Sequence, residues 1–380
     1  MEIFILCVFI IGYLAITLEH QLKIDKLIPA LIMMALAWAG VAFGLDDFTN
    51  WFDSHNGELI EGFKNLPLEG HHDSKQSWFQ GTLLHHFGKT CEILIFLVGA
   101  MTIVEIVDHF NGFNTIKKII KTTNKRKLLW IVCILGFILS AIIDNLTATI
   151  VLITILRKLI ADKNLRMWYA GLIIVSANAG GAWSPIGDVT TTMLWMGHKV
   201  TAMQLIVKLM LPSLACMILP NLIATFLPVF KGDIETIKSD EGEEQKGGAF
   251  MLIVGLGMIV FVPIFKTITH LPPYVGMMLS LGVVSMIAEF KSNRAFSLTD
   301  HGQAAELNGG HANSPTFRAL GKIEMPSILF FLGILMTVAA LESLGMIFIF
   351  GNDVVASGMN MNLFITLLGA GSAVIDNVPL

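Results

Sequence analysis

The sequence predicts an all-α polytopic membrane protein with inverted-topology repeats, re-entrant hairpins and broken transmembrane helices. Hydrophobic residues make up 54% of the 380 residues and charged residues only 14%, against about 25% charged in an ordinary soluble domain. The apolar residues fall in runs close to the roughly 20 residues that cross a hydrocarbon core. This composition excludes a disordered chain and a soluble enzyme. The net charge of −4 also excludes a nucleic-acid binder, which needs a basic surface.

The candidate membrane spans are residues 1–18, 27–45, 91–110, 128–156, 168–196, 203–230, 249–268, 273–290, 325–350 and 361–380. β-barrel strands would be about half as long and would alternate apolar with polar residues, so helices are predicted. The four cysteines lie far apart and show no CxxC spacing, which favours neither a disulfide framework nor a zinc site. We expect no cofactor and no resident metal.

Loop charges predict the orientation, because positively charged loops stay in the cytoplasm. Segments 114–127 and 157–166 are rich in Lys and Arg, whereas segment 46–90 is acidic. The first two are therefore predicted to be cytoplasmic and the third external. Loops 231–248 and 291–324 then also fall on the cytoplasmic side.

Run 128–156 lies between two basic loops, and a single crossing would put one of them outside. A re-entrant hairpin that enters and leaves on the cytoplasmic side resolves the conflict. The polar segment 140–147 would supply its turn, since irregular backbone at membrane depth must be lined by protein or water. The alternative is one long tilted helix.

A weak internal repeat supports a carrier. Residues 93–102 match 328–337, and residues 140–145 match 372–377 at nearly the same offset, while the loop charges give the matched segments opposite directions. We predict a first transport repeat at 1–230, a cytoplasmic linker at 231–248 and a second, inverted repeat at 249–380. Such repeats are typical of secondary transporters and not of an intramembrane enzyme, for which HExxH is also missing.

The hairpin tips carry the first set of candidate ion ligands. A carboxylate at bilayer depth costs several kcal/mol, so Asp144 and Asp376 are functional candidates by default. Each is followed by an Asn, and carboxylate and amide oxygens suit hard cations such as Na⁺ or Li⁺. The alternative is that each Asp only caps a half-helix. The candidates in the two tips are Ser140, Asp144, Asn145, Thr147, Ser372, Asp376 and Asn377.

Segment 176–192 is the second candidate region. Three glycines and Pro185 interrupt an apolar run at its centre, which predicts an unwound membrane helix with freed polar groups. The candidate ligands are Asn178, Ser184, Asp188, Thr190 and Thr191. Close helix contact through small residues would explain the glycines, but it leaves Asp188 unexplained.

Span 91–110 and the residues just before it supply candidates for a proton path. These are Glu92, Glu105 and His85. Glu92 is near a span end, where a long side chain can simply reach the interface. Glu105 lies deeper and is either an ion-path residue or a satisfied structural acid. His85 lies just outside the span and could sense pH.

Segment 178–191 resembles the signature of the NhaD-type sodium/proton antiporter family, and segments 99–108 and 140–147 look like family motifs. The resemblance implies the ion-transporter superfamily fold, which also holds arsenite and dicarboxylate carriers. It implies exchange of cytoplasmic Na⁺ or Li⁺ for external protons, in a bacterial inner membrane or a plastid envelope. The family continues past the second hairpin tip, so a C-terminally short chain is expected.

The mechanistic hypothesis is competition, because burial disfavours the charged form of a carboxylate that then takes either a proton or Na⁺. The expected partners are Na⁺, Li⁺, H⁺ and the lipid bilayer, with a homodimer as candidate assembly and no nucleic acid. The alternatives are an anion carrier for arsenite or a dicarboxylate, and a non-transporting fragment.

Overall fold

The computed structural model describes residues 1–54, 57–65, 75–117, 120, 122–234, 247–296 and 314–372. The chain divides into two compact units, Met1–Leu94 with Glu324–Leu380 and Ile95–Ile323. Helices dominate the described residues, and six of the described helices are long and apolar enough to cross a membrane. The predicted all-α polytopic membrane class is thereby confirmed, whereas the inverted repeats stay a prediction.

In chain order the helices are α1 (Glu2–Thr17), α2 (Glu19–Leu22), α3 (Leu27–Phe43), α4 (Lys75–His109), α5 (Asn114–Lys117), α6 (Lys125–Ile143), α7 (Asn145–Leu159), α8 (Lys163–Ala182), α9 (Val189–Met196), α10 (Ala202–Phe226), α11 (Gly248–Thr269), α12 (Pro273–Phe296), α13 (Pro315–Leu320), α14 (Met325–Ser343), α15 (Met346–Ala356) and α16 (Met361–Ser372). Two short strands, β1 (Asn50–Asp53) and β2 (Glu58–Glu61), pair antiparallel.

In the first unit, α3 packs between α1 and α14. The approach to α14 is close, because a Cβ built on Gly333 would lie 2.7 Å from the carbonyl carbon of Ala30. The Trp38 indole donates a hydrogen bond of 2.8 Å to the Met336 carbonyl across this contact. A buried indole needs such a partner, so the bond fixes the register of the two helices.

Two expected spans differ from the observed helices. The helix expected at 91–110 begins earlier, because α4 starts at Lys75 within the acidic segment 46–90, which also contains the β1–β2 hairpin. Trp51 of the hairpin is fully buried and stacks on Phe63 at 5.0 Å. The run 325–350 is not one helix, because Gly345 adopts a φ of 69° between α14 and α15, a conformation that ends a helix.

The second unit is built around α6, α7, α8 and α10, with α11 packed against α12. Tyr169 of α8 is fully buried and donates a 2.6 Å hydrogen bond to the Lys125 carbonyl at the start of α6. Asn221 of α10 is also buried and donates to Ser176 Oγ of α8 at 3.0 Å. These side chains fix α8 between its neighbours, and α8 leads directly into the candidate site.

Candidate functional site

The chain reverses direction at Asp144, between α6 and α7. Asp144 has a φ of 78°, which lies outside helical geometry. A Cβ built on Gly136 would lie 3.2 Å from Leu152 Cδ1, although a continuous helix would separate these residues by about 24 Å. The two helices therefore form a hairpin, and the single long helix is excluded.

The Asp144 carboxylate caps α7. Its Oδ1 accepts hydrogen bonds from the amides of Leu146 at 2.7 Å and Thr147 at 3.1 Å. Its Oδ2 accepts from the Thr147 hydroxyl at 2.7 Å. Capping is thus part of its role, but a carboxylate has about four acceptor positions, and these three bonds leave capacity for a cation.

The second break lies between α8 and α9. Residues 183–188 are not helical, and Pro185 within them has no amide hydrogen to continue a helix. Asp188 caps the new helix, because its Oδ1 accepts a 2.8 Å hydrogen bond from the Thr190 amide. The hydroxyl of Thr191 donates a 2.8 Å hydrogen bond to the Ser184 carbonyl. This bond links the start of the non-helical segment to the first turn of α9.

The two breaks are in direct contact. The Ser184 hydroxyl donates a 2.6 Å hydrogen bond to the carbonyl of Ala141 at the end of α6. A Cβ built on Gly187 would lie 2.5 Å from the Ser140 carbonyl oxygen, and one on Gly180 would lie 2.2 Å from that of Phe137. The glycines are therefore required for this approach of the backbones.

Asn145 joins the polar residues of both breaks. Its Nδ2 donates to Asn178 Oδ1 at 2.8 Å and to Asp188 Oδ2 at 3.0 Å. Asp188 is also close enough to Asp144 for the two carboxylates to repel each other. We call Asp144, Asn145, Asn178 and Asp188 the break-point cluster. Sequence reasoning named all four.

The break-point cluster has an open side and spare polar atoms beside it. Asn178 is exposed, and the other three members are half-buried. Ser140 Oγ and Thr190 Oγ1 are buried and have no hydrogen-bond partner within the described residues. A hydroxyl oxygen can accept from a donor or act as a ligand for a cation. An ion could therefore reach carboxylate, amide and hydroxyl oxygens at one place.

The predicted proton-path residues lie on α4 and take part in none of the hydrogen bonds described for the break-point cluster. Glu105 is half-buried in the second unit, within electrostatic reach of Asp108 and Lys322. Glu92 is half-buried in the first unit. His85 packs its ring edge-on against His86 at 5.7 Å, and His86 Nε2 lies 2.9 Å from the Ser54 hydroxyl. Their role in proton transfer stays a prediction.

The second hairpin tip is described only in part. Ser372 is the last residue of α16, and its hydroxyl donates to the Gly369 carbonyl at 3.2 Å. The other two candidates, Asp376 and Asn377, lie outside the described residues.

Sequence reasoning missed Lys266 of α11. Its ammonium donates a 3.2 Å hydrogen bond to the Trp195 carbonyl and lies 4.4 Å from the centre of the Trp195 ring. That carbonyl belongs to the last turn of α9, where a cation is favourable. Since Asp188 caps the other end, α9 is held at both ends. A lone Lys within an apolar run was the available signal.

The chain is similar to known membrane carriers. A family model described as citrate transporter matches residues 7–380. Sodium/proton antiporter 1 of Arabidopsis thaliana is 40% identical over 300 residues, 78% of this chain and 50% of that protein. Sodium/proton antiporter 2 of the same plant is 36% identical over 304 residues, 78% of this chain and 69% of that protein.

A bacterial relative is itself named NhaD, as is the antiporter family that the sequence motifs resemble. The Na(+)/H(+) antiporter NhaD of Vibrio parahaemolyticus is 30% identical over 324 residues, 81% of this chain and 76% of that protein. The predicted resemblance to NhaD-type antiporters is thereby confirmed. The chain spans half the length of antiporter 1 and about two thirds of antiporter 2.

Proposed function

This chain belongs to the citrate transporter family, and on that premise we propose that it exchanges Na⁺ for H⁺ across a membrane. The family and the relatives are transporters, so the chain is not an enzyme. Antiport is proposed because relatives at up to 40% identity are named sodium/proton antiporters. Li⁺ is proposed as an alternative substrate, since it prefers the same oxygen ligands.

The observation that carries the proposal is the pair of carboxylates in the break-point cluster. Asp144 and Asp188 lie within electrostatic reach of each other, and two acidic side chains so placed favour a bound cation. A proton bound within the cluster offsets the negative charge in the same way. Since both events neutralise the same charge, Na⁺ and H⁺ compete, and the release of one follows from the binding of the other.

The position of both carboxylates at helix ends also supports the proposal. Both carboxylates cap the N-termini of helices, α7 and α9, where the partial positive charge of a helix end favours an acidic side chain. A hairpin and a broken helix that meet at polar tips are the geometry around which alternating access occurs in transporters.

We propose that the exchange takes place in the inner membrane of a bacterium, with a homodimer as the assembly.

A citrate or other anion carrier is the second candidate, because the family model is described as citrate transporter. The charge of the cluster disfavours this function. The side chain of Asn145 is hydrogen-bonded to Asn178 and Asp188. In the described part of the chain, no Lys, Arg or His side chain donates a hydrogen bond to either of them. A citrate anion would have to approach two carboxylates without a compensating cation.

The test is the collapse of a proton gradient in everted vesicles on addition of Na⁺ or Li⁺. It uses this chain and also a chimaera that carries, after Leu380, the segment of antiporter 2 that follows the matched region. Asp144→Asn is the test variant and Asp162→Asn the control. Asp162 caps α8 with a 2.9 Å bond from the Asn164 amide but lies outside the break-point cluster.

Both substitutions keep a capping side chain, so they change charge more than stability. We expect Asp144→Asn to reduce exchange by about 100-fold, which corresponds to the loss of a charged ligand worth about 3 kcal/mol. Asp162→Asn should exchange normally. Full exchange in Asp144→Asn would contradict the proposal. Uptake of labelled citrate without any response to Na⁺ would favour the second candidate.

A further inference from the structure

A basic cavity lies at the connection between α7 and α8, at the end of the hairpin away from the Asp144 turn. Its volume is about 190 Å³, and Arg157, Lys163 and Arg166 are among the residues that line it. The other lining residues are apolar, and they include Ile153, Leu156 and Ala170. The cavity therefore combines three basic residues with a mostly apolar lining, and it shares no residue with the break-point cluster.

The three cations have no acidic partner within the described residues. The ion pairs of Lys64 with Asp47 and of Lys75 with Asp46 are both in the other unit. Asp162 lies between α7 and α8, but its Oδ1 accepts from the Asn164 amide as the cap of α8. Three basic residues beside one small cavity favour the binding of an anion over a cation.

The surface next to the cavity is apolar and suits acyl chains. Met167 lines the cavity and is 61% exposed, and Trp168 beside it is 48% exposed. Ile150, two turns back along α7, is 52% exposed. Tryptophan is enriched at the membrane–water interface, and an exposed Trp168 is consistent with headgroups at this end of α8.

We propose that this cavity binds the phosphate headgroup of an anionic phospholipid from the surrounding bilayer. The phosphate lies among Arg157, Lys163 and Arg166, and the acyl chains run along Met167 and Ile150. Arginine pairs well with phosphate through two parallel hydrogen bonds, and basic pockets between membrane helices recognise anionic headgroups. The segment 157–166 is also one of the segments that loop charge predicts to face the cytoplasm.

Attraction of lipid by a positively charged loop can be distinguished from binding in this cavity. Lys125, Arg126 and Lys127 carry the same charge at the start of α6, but they do not line the cavity. They therefore provide a matched control. If only the density of positive charge attracted lipid, removing either set of three would have the same effect.

The experiment measures lipid retention by native mass spectrometry of the detergent-purified chain, titrated with phosphatidylglycerol or phosphatidylcholine. Each basic residue near an anionic lipid contributes about fivefold in affinity. The triple substitution of Arg157, Lys163 and Arg166 to Gln should therefore weaken phosphatidylglycerol binding by about 100-fold. The same substitution of Lys125, Arg126 and Lys127 should change it by less than about fivefold. Phosphatidylcholine should bind weakly to all forms.

A second variant keeps every charge and removes only the space. Ala170→Phe places a bulky side chain in the cavity, so the headgroup no longer fits. It should weaken phosphatidylglycerol binding by at least about tenfold. Equal loss in both triple variants, or unchanged binding in Ala170→Phe, would overturn the proposal. Displacement of the lipid by millimolar inorganic phosphate would assign the cavity to free phosphate and overturn it as well.

Discussion

Replacing Gly180 with Ala should separate the two breaks that form the site. The new Cβ would lie 2.2 Å from the Phe137 carbonyl oxygen and 2.6 Å from the Phe137 Cα. Both are backbone atoms of α6, so they cannot rotate away as a side chain would. Overpacking of this kind costs about 1–3 kcal/mol, and the better helix propensity of Ala returns only about 1 kcal/mol. We expect a net destabilisation of about 2 kcal/mol at the upper end of that range.

Gly171→Ala is the control within the same helix. No atom lies within 4 Å of a Cβ built on Gly171, so only the propensity gain remains, about 0.4–1 kcal/mol. The assay is thermal unfolding of both purified variants in detergent. The two substitutions should move the midpoint in opposite directions, and Gly180→Ala should also weaken Na⁺ binding. A Gly180→Ala variant as stable as Gly171→Ala would refute the close contact between α6 and α8.

Three further predictions concern the ion site and its supports. Thr147→Val removes the hydroxyl that donates to Asp144. Because hydrogen bonds to charged groups contribute about 1.5–3 kcal/mol, the apparent Na⁺ affinity in a binding titration should fall about tenfold or more. Lys266→Met should release the end of α9 and weaken Na⁺ binding, whereas Lys266→Arg should restore most of it; equal affinities for both would contradict this. Competition predicts that the Na⁺ concentration for half-maximal binding rises up to about tenfold for each unit of falling pH, and a pH-independent value would count against it.

The sequence was informative about the site because its polar residues stand out against an apolar background. Asp144, Asn145 and Asp188 lie at the two breaks, which Gly, Pro and acidic residues signal directly, and Asn178 lies in α8 before the second break. The structure places these four residues in hydrogen-bond or electrostatic contact. The loop charges also predicted the reversal near residue 144. In each case a local signal was enough.

Other features depend on tertiary packing and were not predictable. The contact of Lys266 with Trp195 needs α11 beside α9, and no local pattern specifies that neighbour. The early start of α4 at Lys75 was missed because its first turns are polar. Its 35 residues extend about 52 Å, well beyond the roughly 30 Å of a hydrocarbon core. The break at Gly345 was missed because apolar residues continue through it.

The most direct test of the account is proton release when Na⁺ binds to the purified chain. The protein is held in weakly buffered detergent at alkaline pH, and a pH-sensitive dye follows the addition of NaCl against choline chloride. Competition at the break-point cluster predicts proton release from the wild-type chain and from Asp162→Asn, and none from Asp144→Asn. Na⁺ binding without proton release, or equal release from Asp144→Asn, would contradict the claim that both ions compete for this carboxylate.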